Sequence, residues 1–207
     1  ACAALLLLPV GGALAQSTET TRRPITHEDV WLMQRPGALA ASPDGRWFVA
    51  SVASPAYEDD QKSSDLWIMA SDGTAPPRRL TAGKGSEGDP AWSPDSTRIA
   101  FSAKREGDDA TQIYVLDLAG GEAQRVTNWP AAARAPRFSP DGRSILFVGL
   151  TYPGAATEAD NRKAAAERKA RKYNVRAYDS FPIRHWDRWL DELRPTLVVQ
   201  PLDGAAP

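Results

Sequence analysis

Ser42-Pro43-Asp44-Gly45, Ser93-Pro94-Asp95-Ser96 and Ser139-Pro140-Asp141-Gly142 are three copies of one phrase, starting 51 and 46 residues apart. Its chemistry is that of a tight turn. Pro presets φ at the second position, Asp tolerates the third, and Gly suits the fourth. In the middle copy Ser96 replaces Gly, so that turn is either strained or needs no positive φ. A β-patterned run follows each copy: Trp47 to Val52, Arg98 to Ser102 and Ser144 to Val148. Ala41, Trp92 and Phe138 stand just before the turns, at the ends of preceding strands.

The repeat extends downstream. Asp65-Leu66-Trp67-Ile68-Met69 aligns with Gln112-Ile113-Tyr114-Val115-Leu116 as a further strand. Hairpin signals follow at Asp72-Gly73 and Gly120-Gly121, then strands ending in Arg79-Leu80-Thr81 and Arg125-Val126-Thr127. A period in the forties with several short strands per repeat reads as propeller blades. The expected fold class is all-β: a partial β-propeller over 38–207, with about three blades at 38–82, 88–128 and 133–207. A ring of roughly seven or eight blades is the expected parent, so an open stack should leave apolar sheet faces uncovered.

Composition is that of ordinary globular material, with 42% hydrophobic and 25% charged residues. A formal net charge of −1 gives no electrostatic case for nucleic acid or an anionic membrane as partner. Ala3 to Leu8 is a dense apolar run too short to span a bilayer. It leads to Ala13-Leu14-Ala15, an A-x-A site of the kind signal peptidases cut. Residues 1–15 therefore read as an N-terminally truncated secretory signal, with 16–37 as a lead-in segment. That places the protein in the periplasm or outside the cell, with no stable membrane anchor. The other reading of the run is a buried helix, which Gly11-Gly12 and Gln16-Ser17-Thr18 interrupt. Cys2, the only cysteine, lies inside the signal, which leaves no disulfide or thiol nucleophile for the mature chain.

The third repeat is interrupted by a helical insertion at 155–173. Glu158 to Lys172 is rich in Ala, Lys, Arg and Glu, with Asp160 or Thr157 as cap. Its apolar residues are mostly alanines, which make no strong membrane face, and a solvated helix is expected. Thr196 to Gln200 reads as a returning strand.

Ala91-Trp92-Ser93-Pro94-Asp95 and Arg98-Ile99-Ala100-Phe101-Ser102 resemble blades of TolB-like and prolyl oligopeptidase family propellers. Tyr178-Asp179-Ser180-Phe181-Pro182-Ile183-Arg184-His185-Trp186-Asp187-Arg188-Trp189 is more discriminating. It is similar to a stretch of secreted dipeptidyl-peptidases and acylaminoacyl-peptidases of the prolyl oligopeptidase family. The resemblance covers roughly residues 25–204. It implies an N-terminal propeller that admits short peptides to a C-terminal α/β-hydrolase domain carrying a Ser–Asp–His triad. No G-x-S-x-G elbow is present here, since Ser86 has Lys84 two positions before it. No catalytic residue is therefore assigned, and the hydrolase domain is expected as a partner outside this chain.

Arg184, His185, Trp186, Asp187 and Arg188 are the candidate substrate-binding residues. As one strand they would place Arg184, Trp186 and Arg188 on one face and His185, Asp187 and Trp189 on the other. One face could then line the central cavity and orient a peptide's termini. The alternative is a structural strand, with its indoles packed between blades and its charges paired. Some dipeptidyl-peptidases hold the substrate amine with adjacent glutamates. No Glu-Glu pair occurs here, and Asp191-Glu192 is the nearest echo.

Other signals are set aside. Gly83-Lys84-Gly85-Ser86-Glu87-Gly88 spells G-x-G-x-x-G but lacks the strand-then-helix setting of a nucleotide site. His27 and His185 are the only histidines, and Asp59-Asp60 and Asp108-Asp109 lack calcium-loop spacing. Both acidic pairs read as solvated turn residues, so neither a metal nor a cofactor is expected. The Trp186-Asp187 dipeptide occurs once, at the wrong place in the period for WD repeats. The leading reading is the propeller portion of an exported serine exopeptidase acting on short peptides. The alternative is a non-enzymatic TolB-like periplasmic propeller that binds protein partners.

Overall fold

The computed structural model describes residues 23–203 except 174, 176, 177, 179, 180 and 182. The expected signal at 1–15 and the start of the lead-in lie outside them. A short helix, α1 (His27–Trp31), opens the described chain, capped by Thr26 and Asp29 in a reciprocal capping box. Among the described residues four antiparallel sheets follow, three blades and one two-stranded hairpin.

Blade 1 contains β1 (Arg35–Pro36), β2 (Ala40–Ala41), β3 (Trp47–Ser54), β4 (Ser63–Ala70) and β5 (Arg78–Arg79). β1 and β2 both pair with β3, as two halves of one interrupted inner strand. The sheet thus reaches back to Arg35, inside the segment read from sequence as lead-in. Blade 2 is β6 (Glu87–Trp92), β7 (Arg98–Ala103), β8 (Gln112–Asp117) and β9 (Gln124–Arg125), in that spatial order. Blade 3 is β10 (Ala133–Phe138), β11 (Ser144–Thr151) and β14 (Arg194–Pro201). Between β11 and β14 lie α2 (Glu158–Ala170) and a hairpin of β12 (Arg184–His185) and β13 (Arg188–Trp189). The fold is a partial propeller with a helical insertion in its third blade.

The three Ser-Pro-Asp turns share one hydrogen-bonded latch. The Ser hydroxyl donates to the Asp two residues on, at 2.5 Å in all three copies. The same hydroxyl accepts the N–H five residues on: Trp47, Arg98 and Ser144, each at 2.9 Å. Asp44, Asp95 and Asp141 then accept the amides of Arg46, Thr97 and Arg143. The fourth position is left-handed in every copy: Gly45 at φ 72°, Ser96 at 60° and Gly142 at 70°. Ser96 therefore takes the strained alternative. Its hydroxyl accepts the Asp44 N–H of the neighbouring turn at 3.1 Å, an inter-blade link that glycine cannot make. Arg98 continues the chain of links by donating to the Gly142 carbonyl at 3.2 Å.

The core lies between the sheets, and side-chain alternation along blade 2 divides it in two. Ile99, Phe101, Ala103, Tyr114 and Leu116 pack on Val49, Leu66 and Ile68 of blade 1. Ala100 and Ile113 point the other way, toward Ala133, Ile145, Phe147 and Trp129. Trp92 and Trp129 also donate their indole N–H groups across the stack, to the carbonyls of Ala40 and Leu150. Fully burying such a side chain stabilises by about 1.5–3 kcal/mol, so the two interfaces dominate the fold. On the far side of blade 3, Leu197 and Val199 are 69% and 53% exposed. This is the uncovered sheet face that an open stack requires.

The strand ending Arg-x-Thr also repeats in three dimensions. Thr81 and Thr127 hydroxyls accept the Leu66 and Ile113 amides, each at 2.9 Å. Arg79 and Arg125 pair with Asp65 and Asp108, each at 2.8 Å. Asp108 corrects a sequence expectation, because its side chain is only 2% exposed. It accepts from the Tyr114 hydroxyl, the Arg105 amide and Arg125. Burial pushes this carboxyl up, but those three donors outweigh it and hold it below the ordinary range. Burial and that same hydrogen bond push the Tyr114 phenol up to about 12. Asp109 beside it is solvated, as expected. The Gly83-to-Gly88 segment crosses from β5 into β6 with no helix after it, as an inter-blade connection.

Two outcomes follow from this packing. Ser93→Ala should lower stability by about 1–3 kcal/mol, because it unmakes a buried latch. Ser96→Gly should stay within about 1 kcal/mol, since relief of the left-handed strain offsets the lost bond; urea unfolding measures both. Hydrogen bonds from Ser42 and Ser93 lead the causes that hold Asp44 and Asp95 at about 2, and Ser139 likewise lowers Asp141. The unfolded chain therefore binds protons first as pH falls below about 4. The latches should stabilise fully above pH 4 and progressively less down to about pH 2, read as a falling melting temperature. Separately, a Cβ at Gly149 would lie 2.8 Å from the Trp129 ring. Gly149→Ala should cost about 1–3 kcal/mol by overpacking, again measured in urea.

Candidate functional site

Antiparallel pairing sorts the connections onto two edges of the stack. The Ser-Pro-Asp turns and the tight β4–β5 and β8–β9 links share one edge. The β3–β4, β7–β8 and β11–β14 connections share the other, with the inter-blade crossovers. The long insertion therefore rises from this second edge, above the β9–β10 crossover.

Its helix is fixed at both ends. Thr157 is the N-cap and Asp160 its capping-box partner, so both residues named as possible caps take part. Asn161 is buried, accepting the Tyr152 N–H at 2.9 Å and donating to the Thr157 carbonyl at 3.1 Å. Arg162 reaches the Asn128 carbonyl in the crossover from blade 2. At the other end Arg168 makes two parallel bonds to Asp191, at 2.8 and 2.9 Å, and approaches Glu192 at 3.4 Å. Asp191 holds the Arg168 guanidinium above its ordinary range, and Arg168 holds the Asp191 carboxyl below its own. The basic side chains of the helix thus serve partly as local counterions, with Arg162–Glu158 and Lys169–Asp109 as further pairs.

The candidate residues do not form one strand. Arg184 pairs with Trp189 and His185 with Arg188, leaving Trp186-Asp187 as a two-residue turn. Trp186 has φ 57°, unfavourable for a bulky side chain. The cause of the difference is the hairpin register: Leu190 N–H donates to the Ile183 carbonyl at 3.1 Å, closing the loop at its base. The Tyr178 hydroxyl donates to the Leu190 carbonyl at 2.7 Å, and its ring lies 6.3 Å from that of Trp189. The indoles are not packed between blades: Trp186 is 84% and Trp189 54% exposed. Arg184, His185 and Asp187 are exposed as well. Asp179, Ser180, Pro182 and the Arg188 side chain lie outside the described residues.

What sequence reasoning missed is the pairing of Arg168 with Asp191, beside Glu192. Arg168 reads in sequence as one of the basic residues of a solvated helix, and only the chain reversal brings it to Asp191. Among the described residues no group of three or more His, Cys, Asp or Glu side chains is arranged to hold a metal. None of the described helices is long and apolar enough to cross a membrane.

The chain is 35% identical over 129 residues to the uncharacterized peptidase YuxL of Bacillus subtilis, covering 61% of this chain and 19% of that protein. It is 27% identical over 176 residues to dipeptidyl-peptidase 5 of Porphyromonas endodontalis, covering 84% and 24%. A TolB homolog of Chlorobium chlorochromatii is 43% identical over 67 residues, covering 32% and 14%. The chain thus spans about a fifth to a quarter of the curated peptidases it matches. Among solved structures, an acylaminoacyl peptidase of Pyrococcus horikoshii superposes with TM-score 0.61 at 16% identity, covering 86% of this chain and 24% of that one. That likeness is one of fold. The family model for the Tricorn protease N-terminal beta propeller domain matches residues 61–176, more than half of the chain, and the chain belongs to that family.

Proposed function

We propose that this chain is the propeller portion of an exported serine exopeptidase, in which it gates the access of short peptides to a hydrolase domain. The observation that carries the reading is the β12–β13 hairpin. An anchored arm on the connection edge exposes Trp186, Trp189, Arg184 and His185 together. Aromatic rings and cations of this kind are the side chains that dominate peptide and protein contacts. Likeness to a dipeptidyl-peptidase over most of the chain supports the same reading. Export rests on the apolar run Ala3 to Leu8 and on Ala13-Leu14-Ala15.

The hairpin's role is recognition. Trp186 offers a flat apolar surface, and Arg184 and His185 offer donors to a peptide's carbonyls or terminal carboxylate. The chain contributes no nucleophile elbow, so hydrolysis is assigned to the partner domain. A TolB-like scaffold shares the blade repeat but leaves the anchored arm without a role.

Calorimetric titration of the chain with an aromatic tripeptide tests the reading. Trp186→Ala should weaken binding about tenfold, the cost of removing a modest hot spot, and leave the melting temperature unchanged. Unaltered affinity in that variant, or no binding by the parent chain, would count against the hairpin as a peptide site. The chain alone should not turn over a chromogenic dipeptidyl substrate.

A further inference from the structure

We propose that α1 and the ring of Tyr57 form a docking surface for an arginine-bearing, otherwise apolar polypeptide segment. The surface is built from two stretches of blade 1. α1 leads into β1, which is held on β3 by the Arg35–Ala53 and Pro36–Val52 pairing. Gln34 between them donates to the Ser54 hydroxyl at 3.3 Å. Tyr57 stands in the β3–β4 connection, on the same edge of the stack as the insertion. The rings of His27, Trp31 and Tyr57 form a near-parallel ladder, with centroids 6.1 and 6.2 Å apart and interplanar angles of 13°. A helix of five residues is far too short to hold itself in water, and α1 has no buried residue. Trp31 and Tyr57 stack while 43% and 56% exposed, and Ile25, Val30, Leu32 and Met33 of the same segment are exposed as well. An exposed apolar concentration of this kind marks an interaction site.

Charge decides the occupant. Segments 23–36 and 55–62 hold the carboxylates of Glu28, Asp29, Glu58, Asp59 and Asp60 against Arg23, Arg35 and Lys62. Arg23 makes two bonds to Asp29, at 2.5 and 2.6 Å, and Lys62 pairs with Asp59. The side chains of Glu28, Glu58 and Asp60 have no hydrogen-bond or ion-pair partner among the described residues. A wholly apolar occupant would desolvate these carboxylates without compensation. The acidic surplus also disfavours a phosphate-rich or anionic-lipid surface. A guanidinium answers both demands, since its flat face stacks on an aromatic ring and its edge donates to a carboxylate. The fold uses this combination internally: the Arg105 guanidinium lies 4.5 Å from the Tyr114 ring centre and bonds Glu87 at 3.0 Å. An ammonium, compact and strongly hydrated, fits the ladder less well. None of these residues belongs to the hairpin, so the surface is independent of the peptide reading above.

The probe is a hexapeptide alternating leucine with arginine, acetylated and amidated so that its side chains alone carry charge. It is titrated into the whole chain by calorimetry, beside a counterpart with citrulline for arginine and another with lysine. The arginine peptide should bind about tenfold more tightly than the citrulline one and about threefold more tightly than the lysine one. Added salt should weaken it. Tyr57→Ala should cost about tenfold, and the double change Glu28→Gln with Glu58→Gln, which removes charge and no ring, about threefold. Trp186→Ala should leave this affinity as in the parent. Equal binding of the arginine and citrulline peptides, or unaltered affinity in both the Tyr57 and the glutamine variants, would overturn the proposal. So would loss of binding in Trp186→Ala with Tyr57→Ala unaffected, or no binding of the arginine peptide to the parent chain.

Discussion

Blade 2 is clad on both faces, and the remainder of the described structure leans on that constraint. Alternation along β7 and β8 sends Phe101 and Tyr114 into one interface and Ala100 and Ile113 into the other. Neither neighbour could bury its inward face without this central sheet. Burial alone would let the sheets slide, since apolar contact is non-directional. Directional bonds set the stacking: Trp92 donates to Ala40, Asp44 to Ser96 and Arg98 to Gly142. The Asp89 carboxylate adds another, accepting from Ser102 at 2.7 Å and from the Ala135 amide of blade 3 at 3.3 Å. Asp89 and Ala135 are left-handed residues at equivalent bulges, each preceding a proline, so local strain is spent where two blades meet.

From this stack comes an asymmetry with functional meaning. One edge carries short polar turns latched by their own Ser-to-Asp hydrogen bonds. The other carries the β3–β4, β7–β8 and β11–β14 connections, the last holding the insertion of blade 3. Loops positioned by a rigid scaffold are where recognition concentrates. Here the scaffold extends its rigidity into the loop itself, through Asn161, Arg162 and Arg168. The exposed Trp186 is therefore held out at the end of a braced arm.

Much of the fold was legible in sequence because its signals are local. Ser-Pro-Asp turns, alternating strands and an Ala/Lys/Glu-rich helix each declare themselves within a few residues. Thr157 and Asp160 were both legible as capping residues; their reciprocal bonding was not. Asp108 was misread because an acidic pair in a loop looks solvated; its donors, Tyr114 and Arg125, come from strands on either side of the next turn. The hairpin was hidden for a different reason. Trp186-Asp187 carries no Gly or Asn to advertise a positive φ, so the stretch looked like a continuous strand. The Arg168–Asp191 pair joins residues 23 positions apart, and spacing alone does not reveal such a contact.

The most direct measurement is photo-crosslinking of a short peptide carrying a benzophenone side chain to the chain in solution, followed by mass spectrometric mapping. The expected result is adducts concentrated on residues 183–192 and the neighbouring end of α2, competed away by the unlabelled peptide. Competable adducts concentrated instead on the Ser-Pro-Asp turn edge, or on the open face of β14, would contradict the assignment of peptide recognition to the hairpin.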